Sequence, residues 1–243
     1  MVDIHCHILP DVDDGAEDMA EALKMARMAA RCGVTDLVAT SHFRGDTVGM
    51  DRMVLLYSQF RRLEEALLRE NIPLRLHPGA EILCSWKTVE LAREGQLLTI
   101  GDTDYVLCEF PFDGNYSDMD EILAGIAEAG YRPVVAHPER YGAIQQEPRR
   151  IQRWFRKGYV IQVNKGSILG SFGDRVQDTA LWLLEMGFVH LIASDAHSCR
   201  RRTTDLSLLR SRMLERYPRG FVRLLLTENP GRLLRGEKMA PVV

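Results

Sequence analysis

The amino-acid sequence predicts an α/β protein built on a parallel sheet. Seven short apolar runs alternate with longer segments of helical periodicity, which is the order of repeated β-then-α units. The runs are apolar throughout rather than at every second residue, as expected for strands that are covered on both faces. Five of the seven histidines stand at or just after the end of such a run. Polar residues in these places bear on whether the sheet is open or closed into a barrel.

The predicted strands are the apolar runs themselves. They are Val2–His5, Val34–Thr40, Leu74–Pro78, Tyr105–Phe110, Pro133–His137, Tyr159–Val163 and Val189–Ser194. Helices are predicted where apolar residues recur every three to four positions. They are Met19–Cys32, Arg52–Glu70, Thr88–Arg93, Asp120–Ala129, Pro148–Lys157, Asp178–Met186, Leu206–Arg216, Phe221–Leu225 and Pro230–Leu234. No linker or internal repeat interrupts the series, so we expect a single domain over residues 1–243.

Composition and charge exclude several classes of protein. The chain of 243 residues is 46% hydrophobic and 27% charged, which excludes a disordered or fibrous protein. A net charge of −3 gives no electrostatic reason to bind nucleic acid. No apolar run reaches the ~18 residues of a membrane span, so no stable membrane insertion is expected. The first ten residues lack the pattern of a secretory signal, and we expect a cytoplasmic protein.

The five cysteines predict no disulfide framework. Their number is odd, they are widely spaced and no CxxC pair occurs, which also argues against a cysteine-type zinc site. We expect each to be a small buried residue. A cysteine-nucleophile phosphatase needs Arg six positions after its cysteine. The residues at those positions are Val12, Val38, Glu90, Gly114 and Asp205, so that mechanism is excluded.

Side chains that bind metals follow six of the seven predicted strands. His5 and His7 are at alternate positions of the first strand, so both project from one face. The full set of candidate ligands is His5, His7, Asp14, His42, Glu81, Glu109, His137, Asp195 and His197. Lone buried charges are costly, and strand ends meet at one rim only in a barrel. The pattern therefore favours a barrel with a metal centre at that rim, and leaves His77 and His190 with structural roles.

The number and type of candidate ligands predict more than one ion. Nine groups are too many for one cation and enough for two or three. Imidazole and carboxylate ligands without thiolate suit Mn²⁺, Fe or Zn²⁺. Closely spaced ions clamp the attacking and leaving oxygens of an in-line phosphoryl displacement.

Other readings of the acidic segment after the first strand are weaker. Residues 11–15 (DVDDG) fail as an EF-hand loop because Gly15 stands where a third oxygen ligand is required. An aspartyl-phosphate nucleophile motif would also follow a strand, but the histidine pair and Pro10 intrude. The sequence contains neither GxxxxGK[ST] nor GxGxxG, so nucleotide binding is not indicated.

The chain resembles the polymerase-and-histidinol-phosphatase (PHP) superfamily. Within it, the chain is most similar to the metal-dependent bacterial protein-tyrosine phosphatases encoded with capsule and exopolysaccharide genes (the CpsB/YwqE type). The matching stretches, in order along nearly the whole chain, are Asp3–Ala16, Gly79–Ile82, Glu109–Phe110, His137–Tyr141, Gln162–Ser167 and Ser194–His197. The first stretch (DIHCHILPDVDDGA) and HPERY are specific for the phosphatase branch. The resemblance implies a distorted (β/α)7 TIM-like barrel with a three-metal site that depends on manganese.

The resemblance also implies how the ligands are shared. One ion would be held by His5, His7, Asp195 and a bridging Glu81, a second by Glu81, Glu109 and His137, and a third by Asp14, His42 and His197. Arg140 of HPER and Arg202 match the arginines that bind phosphate in the family. Guanidinium suits phosphate because it donates two parallel hydrogen bonds.

Three positions depart from the family pattern. Ser198 stands where the family has Asn, Cys6 replaces Ser, and residues 41–43 (SHF) replace Pro-His-His. The nine ligands are intact. Phe43, Phe112, Tyr116 and Phe172 are expected to pack rather than to recognise substrate.

The activity implied is hydrolysis of phosphotyrosine by a metal-activated hydroxide, without a covalent phosphoenzyme. The implied partner is a phosphotyrosine protein, namely the tail of a bacterial tyrosine kinase that controls polysaccharide synthesis. One alternative is a PHP phosphoesterase that acts on a small monoester such as histidinol phosphate. Another is an inactive PHP scaffold module, although such modules usually lack ligands that this chain retains.

Overall fold

The computed structural model describes residues 1–44 and 50–240, so residues 45–49 and 241–243 of the predicted domain lie outside the described part. Every strand pair in it is parallel. The strands are β1 (Val2–Cys6), β2 (Asp36–Ala39), β3 (His42–Arg44), β4 (Arg75–Pro78), β5 (Glu81–Leu83), β6 (Tyr105–Glu109), β7 (Arg132–Ala136), β8 (Val160–Asn164) and β9 (Leu191–Ala193). All seven predicted strands are confirmed. The short strands β3 and β5 were not predicted.

The strands occupy seven positions around a ring. Ladders join β1–β2–β4 in one sheet and β3–β5–β6–β7–β8–β9 in another. Strand β3 begins after a gap of two residues from the end of β2, and β5 begins after the same gap from the end of β4. Each of these two pairs therefore occupies one of the seven positions as an interrupted strand. Between β9 and β1 there is a single bridge from Cys6 to Ala196, with hydrogen bonds from Asp195 N to His5 O (2.9 Å) and from His7 N to Ala196 O (2.8 Å). The predicted α/β fold with seven strand positions is confirmed.

Among the described residues, eight α-helices lie between strands and three follow the last strand, as predicted. They are α1 (Met19–Arg31), α2 (Met50–Arg69), α3 (Trp86–Arg93), α4 (Tyr116–Glu128), α5 (Gly142–Gln146), α6 (Ile151–Arg156), α7 (Lys165–Ile168), α8 (Asp174–Glu185), α9 (Ser207–Arg216), α10 (Arg219–Arg223) and α11 (Asn229–Leu234). The two short helices at 142–146 and 165–168 were not predicted, and the helix predicted from Asp178 begins four residues earlier, at Asp174.

The predicted start of α4 near Asp120 is wrong. The helix begins four residues earlier because the Asn115 side chain caps it, accepting from Ser117 N at 2.7 Å. Asp120 instead pairs with Arg153 and Lys157 of neighbouring segments.

Two hydrophobic clusters form on opposite faces of the same strands. On β6, Tyr105 and Leu107 belong to the smaller cluster, whereas Val106 and Cys108 belong to the larger one with the helices. The alternation of side chains along a strand explains this division. Glu109 of β6 and Gln162 and Asn164 of β8 continue the inner face toward the carboxyl ends of the strands. A polar layer therefore lies above the inner core.

The burial of the cysteines agrees with expectation only in part. All five cysteines are free; Cys6, Cys84 and Cys108 are buried, but Cys32 and Cys199 are only half-buried. The expectation of burial is wrong for these last two, which pack against the edge of the larger hydrophobic cluster. Within the described residues, no helix is long and apolar enough to cross a membrane.

Candidate metal centre

The first strand brings two imidazoles to the carboxyl end of the ring. The register between β1 and β2 shifts between Asp3 and Cys6, and His5 and His7 are both fully buried. The segment after His7 folds back on it, since Ala16 N donates to His7 O at 3.0 Å. A Cβ at Gly15 would lie 2.1 Å from His7 O. The glycine of the DDG sequence is therefore required by this close approach.

Asp13 orients His7 rather than serving as a ligand candidate. His7 Nδ1 donates to Asp13 Oδ2 at 2.8 Å, which leaves Nε2 directed at the centre. The same Asp13 oxygen accepts from His42 N at 2.8 Å, and Oδ1 accepts from Gly15 N at 3.0 Å. One carboxylate thus fixes β1, the DDG segment and the start of β3. This role of Asp13 could not be predicted from the sequence, where Asp13 and Asp14 are two adjacent acids.

All nine predicted ligands are brought together. Four groups have donor atoms within 4.8 Å of one another: His7, Asp14, His42 and His197; His5, His7 and Glu81; His5, His137 and Asp195; and His42, Glu81 and Glu109. The groups share members, so together they form one continuous cluster. That they hold ions remains a proposal.

Glu81 lies at the centre of the cluster. Its side chain is 1% exposed and faces four imidazoles. The distances are 2.8 Å from Oε1 to His137 Nε2, 3.2 Å from Oε1 to His5 Nε2, 3.2 Å from Oε2 to His7 Nε2 and 3.1 Å from Oε2 to His42 Nδ1. A carboxylate with each oxygen facing a different pair of imidazoles has the geometry of a bridging ligand.

Two of the three implied ligand sets differ in exposure. Asp195 Oδ1 lies 3.5 Å from His5 Nε2 and 3.6 Å from His7 Nε2, in a buried group. Asp14 is 65% exposed, and its Oδ1 lies 3.4 Å from His42 Nε2 and 3.5 Å from His197 Nε2. The cluster therefore opens to solvent on the Asp14 side.

Strained backbone accompanies the candidate ligands. His137 has a φ of 33° and Asp195 a φ of 48°, both in the left-handed region that non-glycine residues rarely adopt. His137 Nδ1 is also buried with no hydrogen-bond partner among the described residues. An unsatisfied buried ring nitrogen is costly. Both features are typical of a functional site.

Two amides on β8 connect His5 to Asp195. His5 Nδ1 donates to Gln162 Oε1 at 3.0 Å, Gln162 Nε2 donates to Asn164 Oδ1 at 2.7 Å, and Asn164 Nδ2 donates to Asp195 Oδ2 at 2.5 Å. The chain of hydrogen bonds leaves His5 Nε2 directed at Glu81. All four side chains are buried. Gln162 and Asn164 are therefore positioning residues, which their alternate spacing in an apolar strand could have indicated.

Glu139 of the HPER sequence fixes the next turn of chain. Its Oε1 accepts from Asn164 N at 2.9 Å and from Ser167 Oγ at 2.6 Å. Burial raises the pKa of Glu139, although His137 and these hydrogen bonds oppose the effect. The carboxyl group thereby ties the turn after β7 to the start of α7.

Electrostatics divide the histidines into two classes. Burial lowers the pKa of His5, but Glu81 and Asp195 outweigh it and raise that pKa to about 9. Burial also opposes protonation of His7, yet Asp13 and Glu81 raise its pKa to about 10. By contrast, burial and the charge of His7 lower the pKa of His197 to about 3. Despite burial, the surrounding imidazoles hold the pKa of Glu81 well below its usual range.

The residues present fit divalent cations. Five imidazoles and four carboxylates, without thiolate, suit Mn²⁺, Fe or Zn²⁺. His5 Nε2 and His7 Nε2 are 3.3 Å apart and both face carboxylates, an arrangement that a shared cation would stabilise. The orientation of His5 and His7 through their other ring nitrogens is typical of metal-binding histidines.

Two arginines stand beside the cluster, as predicted. Arg202 Nη2 lies 2.6 Å and Arg140 Nη1 3.5 Å from Asp195 Oδ2. The Arg140 guanidinium is 4.2 Å from the Phe112 ring centroid and 4.6 Å from that of Phe172. Arg202 lies 5.8 Å from the Phe172 ring. Two aromatic rings and one carboxylate therefore orient the guanidiniums.

The remaining predicted residues have the following places. Phe43 is buried packing, as expected, and Tyr116 stacks on Trp154 at 5.2 Å. Phe112 and Phe172 both pack against the guanidinium of Arg140, a contact that the sequence did not predict. Phe172 also fits tightly over Gly166, where a Cβ would lie 2.7 Å from the ring. Ser198 organises its own loop by donating to Arg201 O at 2.6 Å.

Both histidines outside the pattern have structural roles, as expected. His77 Nε2 lies 2.9 Å from Asp36 Oδ1. His190 Nδ1 accepts from Ile161 N at 3.0 Å, and its ring stacks on Phe155 at 5.0 Å. Burial lowers the pKa of His190 to about 4.

Comparison with known proteins agrees with the geometry. Residues 1–235 match the family model "Capsular polysaccharide synthesis, CpsB/CapC". The chain is 36% identical to tyrosine-protein phosphatase YwqE of Bacillus subtilis over 98% of this chain and 92% of that protein. It is 30% identical to tyrosine-protein phosphatase CpsB of Streptococcus agalactiae over 82% and 83% of the two chains.

Solved structures give the same relationship. One solved structure comes from a study of YwqE of B. subtilis and CpsB of Streptococcus pneumoniae, which are described there as unique metal-dependent tyrosine phosphatases. It matches this chain with a TM-score of 0.88 and 35% identity. The match covers 99% of this chain and 97% of that one. The phosphotriesterase homology protein of Escherichia coli shares the fold alone, with a TM-score of 0.61 and 14% identity. The resemblance predicted from the motifs is confirmed. The chain belongs to the CpsB/CapC family.

Proposed function

We propose that this protein is a divalent-metal-dependent protein-tyrosine phosphatase. The observation that carries the proposal is the position of two arginines beside the nine gathered ligand candidates. Arg140 and Arg202 both reach Asp195 of the cluster. The relatives that share this family are named tyrosine-protein phosphatases. Cation ligands and phosphate-binding groups at one rim are what metal-dependent hydrolysis of a phosphate monoester requires.

Divalent ions supply Lewis-acid chemistry when bound, because they neutralise charge on phosphoryl oxygens and lower the pKa of water from ~15.7 toward ~7. We assign His5, His7, Glu81 and Asp195 to one ion. Glu81, Glu109 and His137 would hold a second, and Asp14, His42 and His197 a third. The exposed Asp14 side of the cluster gives water and substrate a way in.

The arginines bind the phosphate. Their guanidiniums donate to non-bridging oxygens and stabilise the negative charge that develops there. Arg202 Nε also donates to Asp195 O at 3.2 Å, so one edge of this group is fixed while Nη2 is shared with the cluster. The phenol of tyrosine has a pKa of about 10. It leaves without strong general-acid assistance, which a phosphoserine would need.

Finer assignments belong to the same proposal. We assign Mn²⁺ as the working ion, since imidazole and carboxylate ligands suit it. The substrate we assign is a phosphotyrosine protein, a bacterial tyrosine kinase that acts in capsule or exopolysaccharide synthesis. The capsule family supports this choice. We also propose that residues 1–243 act as a single domain and that the protein works in the cytoplasm.

Chelation followed by metal replacement tests the proposal. Hydrolysis of a phosphotyrosyl peptide should be lost with chelator and regained with Mn²⁺, whereas His7→Ala should stay inactive after metal is returned. Elemental analysis of the purified protein should find more than one ion per chain in the wild type. Activity that survives both chelation and His7→Ala would contradict the proposal.

Parallel assays separate phosphotyrosine from a small monoester. The wild type should strongly prefer the phosphotyrosyl peptide over histidinol phosphate. The reverse preference would support the small-molecule alternative, and hydrolysis of neither compound would support the scaffold alternative.

A further inference from the structure

A groove adjoins the metal centre at Arg140. It has a volume of about 570 Å³ and runs between the segment before α4 and helix α5. Its lining includes Phe112, Asn115, Tyr116, Arg140, Gln146 and Arg150. Because Arg140 contacts Asp195 as well as the groove, the groove and the centre share one wall.

Phe112 stands at the boundary between the groove and the centre. Its ring centroid is 4.2 Å from the Arg140 guanidinium and 6.1 Å from the His137 ring. The side chain is nevertheless 44% exposed. An aryl phosphate whose oxygens meet Arg140 would bring its ring against this exposed aromatic surface. Aromatic pairs of this kind are stabilising beyond the area that they bury.

The far wall of the groove is held in place. Tyr116 stacks on buried Trp154, and its hydroxyl donates to Arg150 O at 3.0 Å. The Arg150 guanidinium lies 5.2 Å from the Tyr116 ring, and its Nε donates to Glu147 Oε2 at 2.9 Å. A wall that is already ordered costs little entropy when it binds an extended segment.

The groove also presents polar side chains beside its aromatic ones. Gln146 and Asp113 are exposed and line the groove with Asn115. Amide side chains donate to and accept from a peptide main chain equally well. A small monoester would contact only the cluster and the two arginines, so the groove would remain hydrated.

We propose that the groove binds the main chain on one side of the phosphotyrosine, with Phe112 against the tyrosyl ring. The inference rests on the proposed function and adds a subsite for a polypeptide substrate. The groove then favours phosphotyrosine within a chain over small aryl phosphates. Gln146 and Phe112 become specificity-determining residues.

A groove-filling substitution tests the proposal. Gln146→Trp should lower kcat/KM for a phosphotyrosyl peptide about tenfold relative to kcat/KM for p-nitrophenyl phosphate, which has no main chain to place. Gln96→Trp is the matched control, since Gln96 is exposed and lies outside the groove lining. It should leave the ratio unchanged. Thermal unfolding of each variant checks that the fold is retained.

Truncated peptides show which side of the phosphotyrosine the groove binds. The effect of Gln146→Trp should vanish when residues on one side of the phosphotyrosine are removed and persist when the other side is removed. An unchanged ratio, or an effect that does not depend on either flank, would overturn the groove. A wild type that hydrolyses p-nitrophenyl phosphate but no phosphotyrosyl peptide would instead overturn the proposed function, and the groove would lose its occupant with it.

Discussion

The end of β1 and strand β8 each present two polar side chains at alternate positions, yet they serve the centre differently. His5 of β1 and His7, the first residue after it, direct their Nε2 atoms at Glu81, at 3.2 Å in each case. Gln162 and Asn164 of β8 connect instead to one another, to His5 and to Asp195. An imidazole has a nitrogen on each side of its ring, so it can ligate with one and be oriented through the other. The comparison shows that one strand supplies ligand atoms and the other determines their direction.

Removing a ligand from β1 should have the largest effect. We expect His5→Ala to lower kcat/KM for a phosphotyrosyl peptide about a thousandfold, because several kcal/mol of charge stabilisation is lost with the ion. Metal content by elemental analysis should fall in parallel. His77→Ala is the matched control, since His77 also faces a carboxylate but lies away from the centre. Equal losses in the two variants would contradict the distinction between them.

Protons should compete with metal for the β1 histidines. The carboxylates raise the pKa values of His5 and His7 to about 9 and about 10 despite burial. Below these values both rings must lose a proton before ligating, so apparent metal affinity should increase with pH, by up to about a hundredfold per pH unit for two protons. Titration calorimetry in buffers of different ionisation enthalpy measures the protons released. Release of none would contradict the assignment of these rings as ligands.

Disconnecting the β8 amides should have a smaller effect than removing a ligand. Gln162→Leu removes the acceptor for His5 Nδ1 and should weaken metal binding about 10- to 100-fold. At saturating metal, kcat should recover much of its wild-type value. Gln177→Leu is a suitable control, because Gln177 donates to Ile168 O outside the cluster. Lower stability with unchanged metal affinity would mean that Gln162 acts in folding alone.

A histidine outside the centre should have the smallest effect, and the shift of its pKa is opposite in direction to those of His5 and His7. Burial lowers the pKa of His190 to about 4, so the unfolded chain binds this proton more readily. Its contribution to stability is complete above about pH 6.5 and is lost as pH falls toward 4. From about pH 7.5 to about pH 5, this loss should be about 2 kcal/mol.

His190→Asn isolates that contribution. The amide oxygen can accept from Ile161 N in place of Nδ1, and the variant cannot titrate in this range. Urea unfolding at both pH values should show a steeper loss of stability in the wild type than in the variant. Parallel losses would mean that another group is responsible.

The sequence predicted the parts of the molecule whose signal lies in single residues or long runs. The seven main strands are apolar runs that can be recognised directly in the sequence. All nine ligand candidates are residue types that bind metals, and they lie at or after the ends of six of these strands. Helices α5 and α7 have five and four residues, too few for a periodic pattern. The split of β2 from β3 at Thr40 and Ser41 moves the chain from one sheet to the other, and no local pattern indicates it.

Positioning roles were harder to predict because they depend on partners far along the chain. Gln162 meets His5 from 157 positions away, and nothing in either neighbourhood identifies the pair. Asp13 and Asp14 are adjacent acids, but only the fold directs Asp13 to His7 Nδ1 and Asp14 toward His197. Phe112 and Phe172 lie 60 positions apart in the sequence, yet both rings contact the guanidinium of Arg140. Ligands can therefore be identified from residue type, whereas the groups that orient them need three-dimensional contacts.

The first and last strands of the ring, β1 and β9, meet without a regular ladder. Cys6 and Ala196 form the single bridge there, and bringing together residues 190 positions apart costs loop-closure entropy. His5 and His7 stand on one side of this junction and Asp195 on the other. An ion bound by all three side chains would link the early and late parts of the chain across this junction. Supply of metal to a newly made chain would then govern completion of the barrel as well as its chemistry.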